Sequence, residues 1–206
     1  MPRPLPLGEF YFGAGRNTRN FIYVTISTGI GGGIVIDGKL YSGAGGTAGE
    51  VGHMTIADEG PRCTCGNRGC WEQMASGTAL AREARRRIGE GAASILLDSA
   101  GGDIERVTAE MVSLAFDQGD ALSRELVART SYYLGVGLAN LVNIFNPELI
   151  VIGGGLANMG DKLLVPAYRE AGQRAFKESY RAVRFARAEL GADAGVLGAA
   201  ALALGK

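Results

Sequence analysis

The feature that most constrains this sequence is a group of four potential metal ligands in one short segment. The chain has a single histidine, His53, and its three cysteines follow at Cys63, Cys65 and Cys70. One imidazole and three thiolates suit the tetrahedral coordination that Zn²⁺ prefers, and the glycines and proline between them allow tight turns. The spacing therefore predicts an inserted zinc loop over residues 53–72. The alternative is three free thiols in a loop and a histidine in the core.

Composition disfavours several other functions. The 206 residues are 47% hydrophobic and 20% charged, with 21 basic and 21 acidic side chains, so no net field would attract nucleic acid. The apolar stretches over residues 134–145 and 194–204 are too short to cross a bilayer, and residues 1–8 lack a signal-peptide core. An odd number of clustered cysteines fits a metal site in a reducing compartment. We expect a cytoplasmic protein that binds neither nucleic acid nor membrane.

The residue pattern predicts an α/β chain. β-branched and aromatic residues favour strands over residues 21–27 and 32–37, which a glycine turn joins as an antiparallel pair. A second turn beginning at Asp37 leads the chain back into Leu40 and Tyr41. A buried strand over residues 149–152 ends in three glycines. Capping residues and apolar periodicity predict helices over residues 76–88, 108–117, 120–145, 161–182 and 194–204, and residues 183–190 resemble a strand. At most a short strand is expected over residues 54–56. Prolines at positions 2, 4 and 6 predict an extended tail before a short helix over residues 9–12.

Two glycine turns and two carboxylates are candidates for ligand binding. Thr28 and Gly29 open a run of hydroxyl and unobstructed backbone N–H groups, and Gly153, Gly154 and Gly155 follow a strand. Neither turn has the Gly-Lys-Ser/Thr of a Walker loop, so both could equally be plain structural turns. Glu50 and Glu72 bracket the predicted zinc loop, where they could accept hydrogen bonds from sugar hydroxyls or lie solvated on the surface.

Taken together, these motifs resemble one family, the ROK group of bacterial sugar kinases and sugar-responsive repressors. The resemblance covers nearly the whole chain from Leu7. It rests on Leu7-Gly8-Glu9, Phe12-Gly13-Ala14-Gly15, Thr28-Gly29-Ile30-Gly31-Gly32-Gly33, Gly49-Glu50-Val51-Gly52-His53, Cys63-Thr64-Cys65-Gly66-Asn67-Arg68-Gly69-Cys70-Trp71-Glu72 and Ala75-Ser76-Gly77.

The resemblance implies a ribonuclease-H-like, actin-type ATPase fold, of which this chain would be the C-terminal lobe. Thr28 and Gly29 would meet the ATP phosphates and Gly153, Gly154 and Gly155 would lie along the nucleotide. The expected ligands are ATP, Mg²⁺ and a hexose, with glucose the default. Glu50, His53 and Glu72 would bind sugar hydroxyls, and His53 would use its other ring nitrogen on a structural zinc ion.

The sequence departs from the kinases of this family in two motifs. Their Asp-x-Gly-Gly-Thr strand and their Glu-Asn-Asp-Ala segment, whose aspartate is the catalytic base, do not occur here. The family's catalytic Asp would fall at about Met1. We therefore expect residues 1–20 to form a tail and a helix remnant, residues 21–206 to form the C-terminal α/β domain, and the chain to be inactive alone.

Two other functions stay open. The chain could be a sugar-sensing repressor fragment without its helix-turn-helix, because repressors of this family share the zinc motif. It could also be a standalone oligomerisation domain, since the predicted helix over residues 120–146 carries Tyr132, Tyr133, Leu134 and Leu138. These four residues could pair with a second subunit, giving the homodimer that the family leads us to expect, or pack in the chain's own core.

Overall fold

A computed structural model describes residues 4–204 of the chain. Within that range the strands are β1 (Phe21–Ile26), β2 (Ile30–Ile36), β3 (Lys39–Leu40), β4 (Leu149–Gly153) and β5 (Arg184–Arg187). The helices are α1 (Pro4–Phe12), α2 (Trp71–Ala75), α3 (Gly77–Gly89), α4 (Leu96–Ser99), α5 (Ala109–Asp117), α6 (Ala121–Phe145), α7 (Asp161–Arg174), α8 (Lys177–Ala182) and α9 (Ala194–Ala203). The predicted α/β class is confirmed.

The five strands form one mixed sheet in the order β3-β2-β1-β4-β5. β1 and β2 are antiparallel, with Ile26 paired to Ile30, and β3 continues the antiparallel side. On its other side β1 runs parallel to β4, and β4 runs parallel to β5. The carboxyl ends of β1 and β4 therefore lie side by side, which is where open α/β sheets bind ligands.

Alternate residues of the strands face two different helical layers. On one face Ile22, Val24 and Ile150 belong to the main core, which α6 and α7 complete. On the other face Phe21, Tyr23, Val35, Leu149 and Val151 form a smaller cluster against which Phe10 of α1 packs. Because both faces of β1 and β4 are covered, these strands read as continuous apolar runs.

Three predicted helix starts have the capping hydrogen bond that motivated them. Ser76 accepts from the Ala79 N–H at the start of α3, and Thr108 accepts from the Met111 N–H at the start of α5. Asp120 accepts from the Ser123 N–H at the start of α6. In each case a side-chain oxygen satisfies an N–H that has no partner within the helix.

The N-terminal prediction was wrong in its start. Residues 1–3 lie outside the described range, but α1 begins at Pro4, where an extended tail up to residue 8 was expected. Pro4 and Pro6 both fall in the first turn, where backbone N–H groups have no intrahelical acceptor, so the lost donors cost the helix nothing.

Other boundaries also differ from the predictions. The helix expected over residues 161–182 is divided into α7 and α8, because Ala175 is extended and the Phe176 N–H donates to Asn143 Oδ1 at 2.7 Å. The expected strand over residues 54–56 is reduced to a single antiparallel bridge between Thr55 and Cys70. The short helix α2 was not predicted.

The helix α6 does not present all of its proposed dimer residues to solvent. Leu134 and Leu138 are fully buried in the chain's own core, whereas Tyr132 is 42% exposed. The two leucines therefore stabilise the fold of the single chain and are not accessible to a second subunit. Across residues 4–204 no helix combines the length and the apolar character that a membrane crossing would require.

Candidate metal cluster and adjoining clefts

The four predicted ligands converge at one point. One ligand atom from each of His53, Cys63, Cys65 and Cys70 can be chosen so that all lie within 4.8 Å of one another. His53 Nδ1 is 3.6 Å from Cys63 Sγ, and the Sγ atoms of Cys65 and Cys70 are 3.6 Å apart. Tetrahedral zinc with Zn–S bonds of about 2.3 Å requires S···S separations of about 3.8 Å, so the donor set fits such an ion.

The ionisation of the thiols differs across the cluster. Hydrogen bonding from the backbone of Cys65 lowers the pKa of Cys63 to about 7, and hydrogen bonds within the cluster add to this. Burial raises the pKa of Cys70 to about 12, and the neighbouring thiols raise it further. Cys63 therefore loses its proton more readily than an ordinary thiol, whereas burial and the neighbouring thiols oppose ionisation of Cys70, an opposition that a bound cation would offset.

The loop that carries the cysteines has few internal hydrogen bonds. The Ile56 N–H donates to Gly69 O at 2.9 Å, and Cys63 and Asn67 form a tight turn through a 2.8 Å bond. Gly66 donates to Cys63, Gly69 donates to Pro61, and Asn67 Nδ2 donates to Thr55 Oγ1 at 2.7 Å. Gly69 has φ +65° and faces the Ala57 carbonyl, so no larger residue fits there.

The end of the loop is anchored to the core by the only tryptophan. Trp71 follows Cys70, is completely buried, and donates its Nε1–H to Tyr133 O on α6 at 2.9 Å. A Cβ on Gly137 would lie 2.0 Å from the indole ring, so α6 keeps a glycine where the ring packs. This contact holds one side of the start of α2, directly before Glu72, against α6.

Glu50 and His53 adjoin each other on the outer side of the cluster. His53 Nε2 is 3.8 Å from Glu50 Oε2, and the two side chains are 36% and 50% exposed. Since Nδ1 faces Cys63, the two ring nitrogens point to different partners. One nitrogen can ligate a metal while the other faces Glu50 and solvent.

Glu72 faces the turn between β1 and β2. Its Oε2 accepts a hydrogen bond from the Ile30 N–H at 3.1 Å. A Cβ on Gly29 would lie 2.3 Å from the same oxygen, so glycine is needed there for the carboxylate to reach the turn. The predicted phosphate turn and one of the predicted sugar carboxylates are therefore in direct contact.

A cleft of about 850 Å³ opens at the carboxyl ends of β1 and β4, and Thr28 and Gly155 both line it. The first turns of α3, with Gly77 and Thr78, and of α5, with Ala109, also border the cleft. Helix N-termini carry partial positive charge and free N–H groups, so this cleft suits an anionic ligand.

The predicted nucleotide glycines are divided between two clefts. Gly153 and Gly154 line a separate cleft of about 480 Å³ on the side of Tyr23 and Arg187, and Gly155 borders both clefts. Gly154 has φ +93° and a Cβ there would meet the Ile26 carbonyl at 2.4 Å, which explains this glycine by backbone packing. Of the three glycines, only Gly155 lies in the same cleft as Thr28.

Sequence reasoning did not identify several polar residues of these regions. Thr78, Ser113 and Asn158 line the larger cleft; the only available signal was that Thr78 follows the capping Ser76. Glu9 is completely buried and accepts hydrogen bonds from the Ala14 N–H at 2.9 Å and the Leu190 N–H at 2.8 Å. Glu9 thus ties α1 to the segment before α9.

Comparison with known proteins agrees with this mixed α/β sheet. The chain belongs to the ROK family, whose model matches residues 3–206. It is 43% identical over 194 residues to the glucokinase of Halalkalibacterium halodurans, covering 93% of this chain and 58% of that protein. It is 34% identical over 198 residues to the xylose repressor of Caldicellulosiruptor bescii, covering 96% of this chain and 49% of that protein.

A solved structure has the same fold over the full length of this chain. It is the ROK family glucokinase from Streptomyces griseus in complex with glucose and AMPPNP, with a TM-score of 0.87 and 35% identity, covering 100% of this chain and 67% of that one. The chain spans 58% to 63% of the length of the glucokinase relatives it matches. The expected ROK membership is thus confirmed.

Proposed function

We propose that this chain is the sugar- and ATP-phosphate-binding lobe of a glucokinase-like ROK hexose kinase. The observation that carries the proposal is the contact of Glu72 with the β1–β2 turn beside a cleft bordered by Thr28 and two helix N-termini. This contact brings carboxylates suited to sugar hydroxyls close to groups suited to phosphate. The likeness to a glucokinase complex with glucose and AMPPNP supports a ribonuclease-H-like, actin-type ATPase fold, with residues 21–206 as the C-terminal domain.

In this proposal the sugar is held by side chains on both sides of the metal cluster. Glu50 and Glu72 accept hydrogen bonds from sugar hydroxyls, and His53 contributes Nε2 beside Glu50. Such charge-assisted hydrogen bonds are about twice as strong as neutral ones and fix the orientation of the sugar ring. Glucose is the proposed hexose, by analogy with the glucokinase relatives.

His53, Cys63, Cys65 and Cys70 would hold a zinc ion. With four protein ligands the ion would be structural, cross-linking the loop. His53 Nδ1 on the metal side leaves Nε2 facing Glu50, so the ion would also fix the ring's tautomer and orientation.

The nucleotide would lie in the 850 Å³ cleft. The Thr28 hydroxyl and the N–H groups at the starts of α3 and α5 would meet the phosphates, with Gly155 allowing close approach of the chain. ATP binds with Mg²⁺ in kinases, and the Mg²⁺ ligands and the catalytic base are expected in the Asp-x-Gly-Gly-Thr and Glu-Asn-Asp-Ala motifs, which this sequence does not contain. The position expected for the catalytic Asp, Met1, lies outside the described residues.

The first test is ligand binding by the zinc-loaded chain, measured by calorimetry. We expect glucose and AMPPNP to bind, and Glu50→Gln to weaken glucose about tenfold or more through loss of a charged acceptor. Asp58→Asn, at an exposed acid in the neighbouring zinc loop, is the matched control and should bind glucose like the unchanged chain. Equal glucose affinity of Glu50→Gln and Asp58→Asn would contradict the proposed sugar site.

A second test is turnover. The 206-residue chain alone should show no ATP-dependent phosphorylation of glucose, because binding groups without a base cannot activate the sugar hydroxyl. Measurable turnover by the purified chain would contradict the proposal that this lobe binds the ligands while the Asp-x-Gly-Gly-Thr and Glu-Asn-Asp-Ala motifs supply the Mg²⁺ ligands and the base.

The similarity to the xylose repressor supports the alternative of a sugar-sensing repressor fragment. The two functions differ in the 850 Å³ cleft, because a repressor has no need of a nucleotide. Binding of AMPPNP would favour the kinase, whereas sugar binding without nucleotide binding would favour the repressor. A homodimer remains part of the proposal. Sedimentation analysis tests it, and the side chains of Tyr132 and Ile144 on α6 are both exposed.

A further inference from the structure

A polar contact between the segment that carries the cysteines and the β1–β2 turn runs through the side chain of Glu72. Within residues 4–204, Glu72 Oε2 accepts the Ile30 N–H at 3.1 Å, two positions after the cluster residue Cys70. Ile30 forms the last pair of the β1–β2 ladder together with Ile26, so its N–H lies at the closed end of the hairpin. A change in the position of Glu72 therefore acts on the hairpin end that Thr28 and Gly29 form.

The geometry of the turn is adapted to this carboxylate. Gly29 leaves room for Glu72, since a Cβ would lie 2.3 Å from Oε2 and 3.1 Å from the carboxyl carbon. By contrast, a Cβ on Gly31 would meet only Thr25 Cγ2, at 3.4 Å. The requirement for glycine at position 29 thus comes from Glu72, whereas position 31 has room for a methyl group.

The position of Glu72 depends in turn on the cluster. Glu72 lies in α2, which has five residues and is too short to be stable without tertiary contacts. Cys70 is the N-cap residue of α2. Its side chain makes no capping hydrogen bond, and its thiol is part of the cluster. Trp71 holds the other side of α2 against α6. Without a metal, α2 would keep the Trp71 anchor and the backbone bridge of Cys70 to Thr55, but it would lose the anchor at the Cys70 side chain.

We propose that Glu72 is a positioning residue that couples metal occupancy of the cluster to the conformation of the β1–β2 turn. The inference rests on the proposed function, because it takes the cluster as a metal site and the turn as a phosphate site. The metal orders the first turn of α2, α2 holds the carboxylate of Glu72, and the carboxylate holds the Ile30 N–H and the turn. By linkage, an anion that binds the ordered turn must raise metal affinity by the same factor by which metal raises anion affinity.

The test is amide hydrogen exchange measured by NMR on the full chain, with Zn²⁺ and with a chelator. We expect chelation to accelerate exchange at Ile30 about tenfold or more, the loss of one charge-assisted hydrogen bond. The buried Val151 amide in β4 is the internal reference for global unfolding. If Ile30 and Val151 accelerate together, or if Ile30 does not respond to the metal, the coupling is wrong.

Variants distinguish a specific effect of Glu72 on Ile30 exchange from general destabilisation of the fold. In Glu72→Ala the metal should no longer affect Ile30 exchange, whereas Glu72→Gln keeps a carbonyl acceptor and should restore part of the protection. Gly29→Ala should mimic Glu72→Ala by displacing the carboxylate, and Gly31→Ala should behave like the unchanged chain. Equal effects of the two glycine variants would overturn the role of Glu72.

Nucleotide binding distinguishes this inference from the proposed function. Zinc affinity, measured by competition with a chromophoric chelator, should rise in the presence of AMPPNP in the unchanged chain and not in Glu72→Ala. If AMPPNP fails to bind at all, the proposed kinase function fails, yet the Ile30 response to zinc still decides the coupling. If AMPPNP binds without changing zinc affinity, the coupling fails and the kinase proposal stands.

Discussion

Removing the metal should disorder the cysteine loop while the core stays folded. Ordering the fourteen residues from Ala57 to Cys70 costs about 14 kcal/mol at about 1 kcal/mol of backbone entropy per residue. The five hydrogen bonds that hold the loop return about 5 kcal/mol at about 1 kcal/mol each. The deficit of about 9 kcal/mol is close to the ~10–16 kcal/mol that a structural zinc ion supplies. The loop is therefore ordered only with metal bound.

The loop contains two trypsin sites that report on this transition. Arg62 and Arg68 are both exposed and lie between the ligands. We expect the zinc-loaded chain to resist cleavage at these two arginines, and the chelated chain or Cys65→Ser to be cut there first. Mass spectrometry of the fragments identifies the cut, and Asp58→Asn is the matched control within the loop.

The core should respond differently from the loop. Trp71 and its contact with Tyr133 lie outside the fourteen-residue segment, so tryptophan emission should stay that of a buried indole after chelation. Cleavage at Arg62 and Arg68 that is equally fast with and without zinc would refute the estimate, because the loop would then be ordered by its own contacts. Complete loss of tryptophan burial on chelation would refute the separation of core and loop.

Three further predictions concern the framework of the site. Glu9→Gln should cost about 3 kcal/mol of unfolding free energy in urea denaturation, since the buried carboxylate accepts two backbone N–H groups; the exposed Glu189→Gln should stay within about 0.5 kcal/mol. Gly137→Ala should cost about 1–3 kcal/mol or more and shift Trp71 emission, because its Cβ would enter the indole, whereas Gly89→Ala should be neutral or stabilising. At Asp120, burial raises the carboxyl pKa, but hydrogen bonds from Ser123, Ile95 and Ser94 outweigh it and lower the pKa. The ionised Asp120 carboxylate therefore stabilises the fold fully at pH values above its ordinary pKa of 3.8, and this stabilisation is lost as the pH falls through the lowered pKa. Asp120→Ala should remove about 1 kcal/mol of unfolding free energy and this dependence on acid, as monitored by thermal unfolding at pH 2–6.

Local chemistry explains why much of the fold was predictable. Ser76, Thr108 and Asp120 cap helices because their short side chains reach the free N–H groups of the first turn, which is a property of adjacent residues. The convergence of His53 and the three cysteines was predictable for a similar reason, since glycines and a proline between them allow the chain to turn back on itself. The strand pair at the β1–β2 turn follows from apolar runs flanking glycines.

The unpredicted features depend on contacts distant in sequence. The break after α7 is set by Asn143 on another helix, and α2 exists because Trp71 fits against Gly137. Glu9 carried no signal beyond its place in a motif, because the Leu190 N–H that it accepts lies far along the chain. Glu72 was predicted as a sugar ligand from its motif. Its hydrogen bond to Ile30 was not predictable, because it depends on how α2 packs against the β1–β2 turn, and these two segments are far apart in sequence.

The arrangement of Trp71 between the cluster and the core suggests an order of assembly. The indole, the strands and α6 bury apolar surface without any contribution from a metal, so the core can form first. Once the core is formed, Cys70 and His53 are held at opposite ends of the loop, the first directly before Trp71 and the second after the short turn at Val51–His53. The fold then positions His53 and keeps Cys70 close to its final position, and a metal would order Cys70 while it recruits Cys63 and Cys65 from the disordered loop. The core thereby lowers the entropy that metal binding must overcome, and the metal completes the link from the loop to Glu72 and the β1–β2 turn.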